Sequence, residues 1–158
     1  MRERYRLEPA PSSTDEWVTH FLRFATSAQM RMSYKPVMLL AFLDIVDSDG
    51  TVAEDALVRS FLTYYRTRQE AGLVAEGPAS ALSRPDQVTL SEARRILMAY
   101  PLERFVIKGF LERQPEAGSI RFRQEIWDNL RHGEVLALRR SLQELIARYF
   151  ASLDDSST

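Results

Sequence analysis

The chain has 158 residues, 45% of them hydrophobic and 27% charged, and a formal net charge of −1. That length is enough for one domain with its own core, and the charge balance excludes a strongly basic nucleic-acid binder while leaving room for a local basic face. There is no cysteine. Disulfides, thiolate metal sites and a cysteine nucleophile are therefore excluded, and the composition fits a cytoplasmic protein.

The N-terminal "MRERYRLEPAPSST" is charged and has no apolar stretch of the kind a signal peptide needs. We expect a loose arm over 1–12, one domain over 13–153 and a disordered tail over 154–158. Ser13 and Glu16 have the S-x-x-E spacing of a capping box. Trp17, Phe21 and Phe24 follow at helical spacing with Val18, Leu22 and Ala25, predicting a first helix from about Thr14 to Ala28.

"SYKPVMLLAFLDIVDSDG" comes next. Pro36 suits the first turn of a helix, where a missing N–H costs nothing. Lys35 precedes a proline and is expected outside that helix. Val37 to Val46 is apolar on every side and predicts a central, fully covered helix. The run is too short to span a bilayer. "DSDG" resembles half of a calcium-binding EF-hand loop. With Gly50 at the sixth position, the first and twelfth ligand positions hold Ile45 and Ala56, so a polar turn is the better reading.

Thr51 to Ala53 predicts a short extended segment. Glu54 and Asp55 favour a helix start, and Leu57, Phe61, Tyr64 and Tyr65 give that helix an apolar face, ending near Ala71 before Gly72. Gly72 to Val88 has no period and reads as a long loop. Thr89 and Glu92 form a T-x-x-E capping box. Ala93, Ile96, Leu97 and Tyr100 mark the inner face of the next helix, which Pro101 is expected to break or kink. Leu102, Phe105 and Val106 point inward from a further turn or two, and Gly109 ends it. Phe110 to Gln114 and Ile120 to Arg123 predict a β-hairpin around Pro115 and Gly118. A short helical segment follows around Glu125 to Leu130. After Gly133, a last helix lined by Val135, Leu138, Leu142, Leu145, Ile146, Tyr149 and Phe150 is expected to pack on the first.

This order predicts a mainly α fold with a small β-hairpin. The string "ARRILMAYPLERFVIKGFLER" resembles the third helix of a winged-helix domain running into its first wing strand. The resemblance spans about Tyr34 to Arg123 and implies a winged helix-turn-helix-like core with extra N- and C-terminal helices. The long loop and Pro101 depart from a compact winged helix. "MSYKPVMLLAFLD", "FLTYYRTRQEAGL", "PLERFVIKGFL" and "IRFRQEIW" together resemble an accessory domain of bacterial helicase and restriction-type defence proteins. Leu102 stands where that domain has an aromatic residue. This second resemblance implies a role on or near DNA; it does not identify the partner, for which a helicase or nuclease protein is a candidate.

The chemistry of catalysis is sparse. His20 and His132 lack metal-ligand spacing, and no phosphate-binding glycine loop or nucleophile elbow occurs. Pro85-Asp86 is half of a metal-dependent nuclease signature. The other half, an acid two residues before a lysine, is missing, because Ser33 and Val106 occupy those places. We expect no enzyme activity and no cofactor.

A basic constellation is the clearest functional signal. From Ser91 to Arg123 there are seven basic residues against four acidic ones. Arg94 and Arg95 fall near the start of the third helix, where base contacts usually arise. Arg121 and Arg123 alternate on the second hairpin strand, where they could straddle a phosphate or enter a minor groove. The candidate nucleic-acid-binding set is Lys35, Arg94, Arg95, Arg104, Lys108, Arg113, Arg121 and Arg123. At Lys35 the anion could be a phosphate or a nearby carboxylate. Two readings stand. One is a non-catalytic module binding duplex or single-stranded DNA, within a larger system or as a regulator. The other is a protein–protein interaction module or homodimer whose arginines form a solvated face. Neither involves a membrane.

Overall fold

The computed structural model describes residues 14–28 and 31–157. The fold is mainly α-helical with one small antiparallel sheet. Helix α1 spans Thr14–Ala25; the Ser13 half of the expected capping box lies outside the described residues. The helix stops short of Ala28; just past its end both the N–H (3.1 Å) and the hydroxyl (2.8 Å) of Thr26 donate to the Leu22 carbonyl.

Helix α2 spans Tyr34–Ile45 and is buried nearly all round. It begins before its proline, with the Val37 N–H donating to the Ser33 carbonyl (3.1 Å). Lys35 is therefore inside the helix, which corrects the expectation from its pre-proline position. Pro36 remains in the first turn, where it breaks no intrahelical bond, and the lysine ammonium is anchored elsewhere, as described below. The turn after α2 uses its own acid: Asp47 Oδ1 accepts the N–H groups of Asp49 (2.8 Å) and Thr51 (3.0 Å).

Strand β1 (Thr51–Ala53) leads into α3 (Glu54–Glu70), which buries Leu57, Val58, Phe61, Leu62 and Tyr65. The segment 72–88 is not a loose loop. It holds two 3-10 turns, Ala81–Ser83 and Pro85–Gln87, and buries Ala75, Glu76, Ser80, Leu82 and Val88. Arg66 of α3 clasps it, donating to the carbonyls of Pro85 (3.0 Å) and Val88 (2.7 Å).

Helix α4 (Leu90–Leu97) opens with both halves of the Thr89–Glu92 capping box. At Pro101, where a break or a kink is expected, the α-helical ladder is interrupted but the helix does not end. A π segment, Met98–Leu102, carries the helix into α5 (Glu103–Ile107). A wider turn accommodates a proline ring that would clash with the carbonyl four residues back in a regular α-helix. Tyr100, expected to face inward, is 54% exposed as a result.

Strands β2 (Leu111–Gln114) and β3 (Ser119–Phe122) form the predicted hairpin, closed by a 3-10 turn and by Gly118 in the left-handed region. The strand order is β1-β3-β2, with Val52 and Arg113 both opposite Ile120. Short helix α6 is Gln124–Trp127, and α7 runs from His132 to Ser157, past the Asp154 start expected for the tail. It packs on α2, whereas α1 meets α6; this corrects the expected pairing of the last helix with the first.

Aromatic rings join these layers. Phe21 of α1 touches the rings of Phe105, Phe110 and Phe122, at 6.2, 5.7 and 5.4 Å between centroids. Each such buried side chain contributes about 1.5–3 kcal/mol. Together they hold α1 against α5 and the sheet. No helix of the described residues is long and apolar enough to cross a membrane.

Candidate nucleic-acid interface

The eight cations of the predicted set divide by what they touch. Arg94 pairs with both Glu54 and Asp55 at the start of α3, and Arg113 reaches Glu54 Oε1 at 3.4 Å. The acids that favour the N-terminus of α3 thus also neutralise a cation in the last turn of α4. Hydrogen bonding to Asp55 pushes the Arg94 guanidinium even higher.

The two hairpin arginines are not a pair. Arg121 donates to the Gln124 side chain and to the Phe122 carbonyl (3.3 Å). Arg123 lies past the end of β3, where its guanidinium stacks 3.7 Å from the Trp17 ring centroid and sits 3.1 Å from Glu125. The close approach of Trp17 to Gly109, a glycine at φ +80°, seats that stack.

Lys35 is only 8% exposed. Its Nζ donates to the carbonyls of Phe24 (2.9 Å) and Ser27 (3.1 Å), and lies 4.8 Å from the Phe24 ring centroid. The ammonium therefore satisfies carbonyls at the C-terminal end of α1, where a cation is favoured. The partners of the ammonium at this helix start are neutral carbonyls of the preceding segment rather than a carboxylate. Burial, and after it the charge of Arg104, lower the Lys35 ammonium to about 8.

Arg95, Arg104 and Lys108 remain. All three are exposed on the α4–π–α5 helix. Arg95 has Glu92 nearby on the same helix. Arg104 acts on Lys35, and Lys108 Nζ lies 5.1 Å from the same Phe24 ring. Lys35 and Lys108 thus share one aromatic ring at the end of α1. Tyr100, four residues before Arg104, has its ring 6.2 Å from that of Tyr34, and Ile107 is 73% exposed. Sequence periodicity hid Tyr100, because a uniform helical period assigns it to the core; the proline at the following position was the available signal.

A second polar constellation joins two features that look unrelated in sequence. Glu76, in the segment 72–88, is buried. Its Oε2 accepts the Ser33 N–H (2.9 Å) and hydroxyl (2.5 Å); its Oε1 accepts the Gly77 N–H (2.7 Å) and the Tyr149 hydroxyl. Ser33 Oγ also meets the Tyr65 hydroxyl (2.8 Å), and the Tyr34 hydroxyl meets Ser80. Every donor is spent inside the fold, so this cluster holds the domain together rather than presenting a site. The half-signature acid Asp86 is exposed and accepts from the Gln69 amide (2.9 Å). A surface groove of about 510 Å³ between α2, α3 and α7 is floored by Val37 and Ile146 and rimmed by the paired Arg139 and Asp44.

Comparison with protein-family models, with curated proteins and with solved structures finds no match.

Proposed function

We propose that this chain is a non-catalytic DNA-binding module with a winged-helix-like core, serving a bacterial nucleic-acid-processing or defence system. The observation that carries this reading is the order helix, strand, helix, helix, hairpin, in which β1 joins the hairpin through β3. A helix-turn-helix with a wing has that layout, and its third helix here bears the exposed Arg95, Arg104 and Lys108. The resemblance to accessory domains of helicase and restriction-type proteins supplies the setting.

The test is fluorescence anisotropy of the purified chain with duplex and single-stranded DNA over a salt series. Three phosphate contacts predict a slope of about −2 to −3 in log K against log salt. Absence of salt-sensitive binding to either ligand overturns the reading.

The exposure of Ile107, Tyr100 and Leu90 on the same helix favours a second reading, an interaction module or homodimer. Light scattering showing a stable dimer, with DNA left unbound at low salt, supports it.

A further inference from the structure

We propose that Tyr100, Arg104 and Lys108, backed by Lys35, form a site for one nucleotide of an unpaired strand, its base stacked on Tyr100 and its phosphate held by Arg104 and Lys108. The inference rests on the DNA-binding reading above and names the form of DNA that this site takes.

Charge is the first argument. Lys35 and Lys108 both lie over the Phe24 ring, the charge of Arg104 acts on Lys35, and among the described residues none of the three makes an ion pair with a carboxylate. Lys35 spends its protons on carbonyls, which leaves its charge uncancelled. Glu103 is the acid next in sequence; it is exposed and pairs with none of them. Like charges packed at one point oppose folding, and a bound phosphate relieves that repulsion.

Geometry is the second. Tyr100, Arg104 and Lys108 follow one another at intervals of four, from the π turn through α5 to Lys108, which caps its C-terminal end. Side chains at that spacing are neighbours along one side of a helix. The Tyr100 ring is 54% exposed yet not free to swing, because Tyr34 flanks it and is itself pinned by its hydroxyl to Ser80 and by its ring to Phe61 and Tyr65. A pre-positioned aromatic face loses little entropy on binding.

Together these features select the ligand. An open aromatic face beside cations is the arrangement that takes unpaired bases and their backbone. In a duplex interior the base faces are already stacked, so Tyr100 would add nothing. An acidic peptide would satisfy the cations and leave the aromatic face unused.

The experiment compares the wild-type chain with Tyr100→Ala, Tyr100→Phe, Arg104→Gln and Lys108→Gln in anisotropy titrations. The probes are a dT 12-mer, a 12-base-pair duplex and a poly-glutamate peptide. These side chains are exposed, and thermal melts check that each variant folds. Tyr100→Ala is expected to weaken binding of the single strand about 5-fold to 100-fold, Tyr100→Phe to retain it, and each cation variant to reduce the single-strand salt slope by about 0.7. Single-strand affinity unchanged in Tyr100→Ala overturns the proposal while the DNA-binding reading survives. So does an equal loss on duplex, or poly-glutamate binding as tightly as dT with the same dependence on Tyr100. Failure of both nucleic acids to bind the wild type overturns both.

Discussion

Ser33, at the residue preceding α2, donates two hydrogen bonds to one oxygen of Glu76, which lies 43 positions further along the chain. The carboxylate is held on its other oxygen by Gly77 and Tyr149, so a buried anion ties together α2, the segment 72–88 and α7. Glu76→Gln keeps the shape but turns an NH₂ group toward donors. It is expected to cost about 1.5–3 kcal/mol, the range for hydrogen bonds to a charged group. Urea unfolding of the variant checks this, and a loss below about 0.5 kcal/mol would show that the clasp carries little stability.

Gly50 and Gly118 both have positive φ, +81° and +63°, but only one is crowded. A Cβ on Gly50 would lie 2.6 Å from Trp127 Cγ, whereas nothing lies within 4 Å of one on Gly118. Gly118→Ala should cost about 1–2 kcal/mol, from backbone conformation alone. Gly50→Ala adds displacement of a ring that stacks on Phe122 and donates to the Ser48 carbonyl, bringing the total to about 2–5 kcal/mol. Thermal denaturation of the two variants side by side gives the difference, and equal melting points would rule out the Trp127 contact as its cause.

Lys35 gives stability a defined pH dependence. With its folded value lowered to about 8, the buried cation is a burden that is fully present below that pH. Between about 8 and the ordinary lysine value near 10.4, the unfolded chain binds more protons than the folded one, so stability rises with pH. The phenols oppose this at the top of the window. Burial raises Tyr34, Tyr64, Tyr65 and Tyr149, so the folded chain keeps their protons longer and stability falls above about pH 10. Urea midpoints measured from about pH 8 to 10 should climb for the wild type and stay level for Lys35→Met. Parallel curves would mean that Lys35 titrates normally.

Arg94 and Arg104 should separate stability from binding. Arg94 ties α4 to the acids of α3 with its side chain 38% exposed, so Arg94→Gln is expected to cost about 0.5–1 kcal/mol, reduced by solvent screening. Its effect on DNA affinity should be less than about twofold. Arg104→Gln should do the reverse, weakening DNA binding at nearly unchanged stability. Urea unfolding and anisotropy on both variants decide it, and the opposite ranking would move the interface to α4.

Much of this architecture follows from signals that act locally along the chain. The apolar run after Pro36, the Thr89–Glu92 box and the glycines at 72 and 118 each act within a few residues, and the elements stand where those signals put them. Contacts made over long distances left no trace in any pattern. Nothing near Glu76 predicts Ser33 as its partner, nothing near Arg94 predicts Glu54, and a lysine before a proline does not reveal that it will satisfy the end of the previous helix. The candidate site suffered most, because a count of basic residues cannot distinguish arginines committed to carboxylates from those left facing solvent.

The π segment sets the azimuth of everything after it. One surplus residue turns the downstream helix by about 100° relative to an uninterrupted α-helix. Leu102 and Phe105 meet the core, and Arg104 and Lys108 meet solvent, in that rotated frame. Excising a single residue such as Ala99 would reset the phase, bringing charge toward the phenylalanine cluster and grease toward water. The spacing between Leu97 and Leu102 is therefore a length that neither a one-residue insertion nor a deletion can satisfy, whatever side chains flank it.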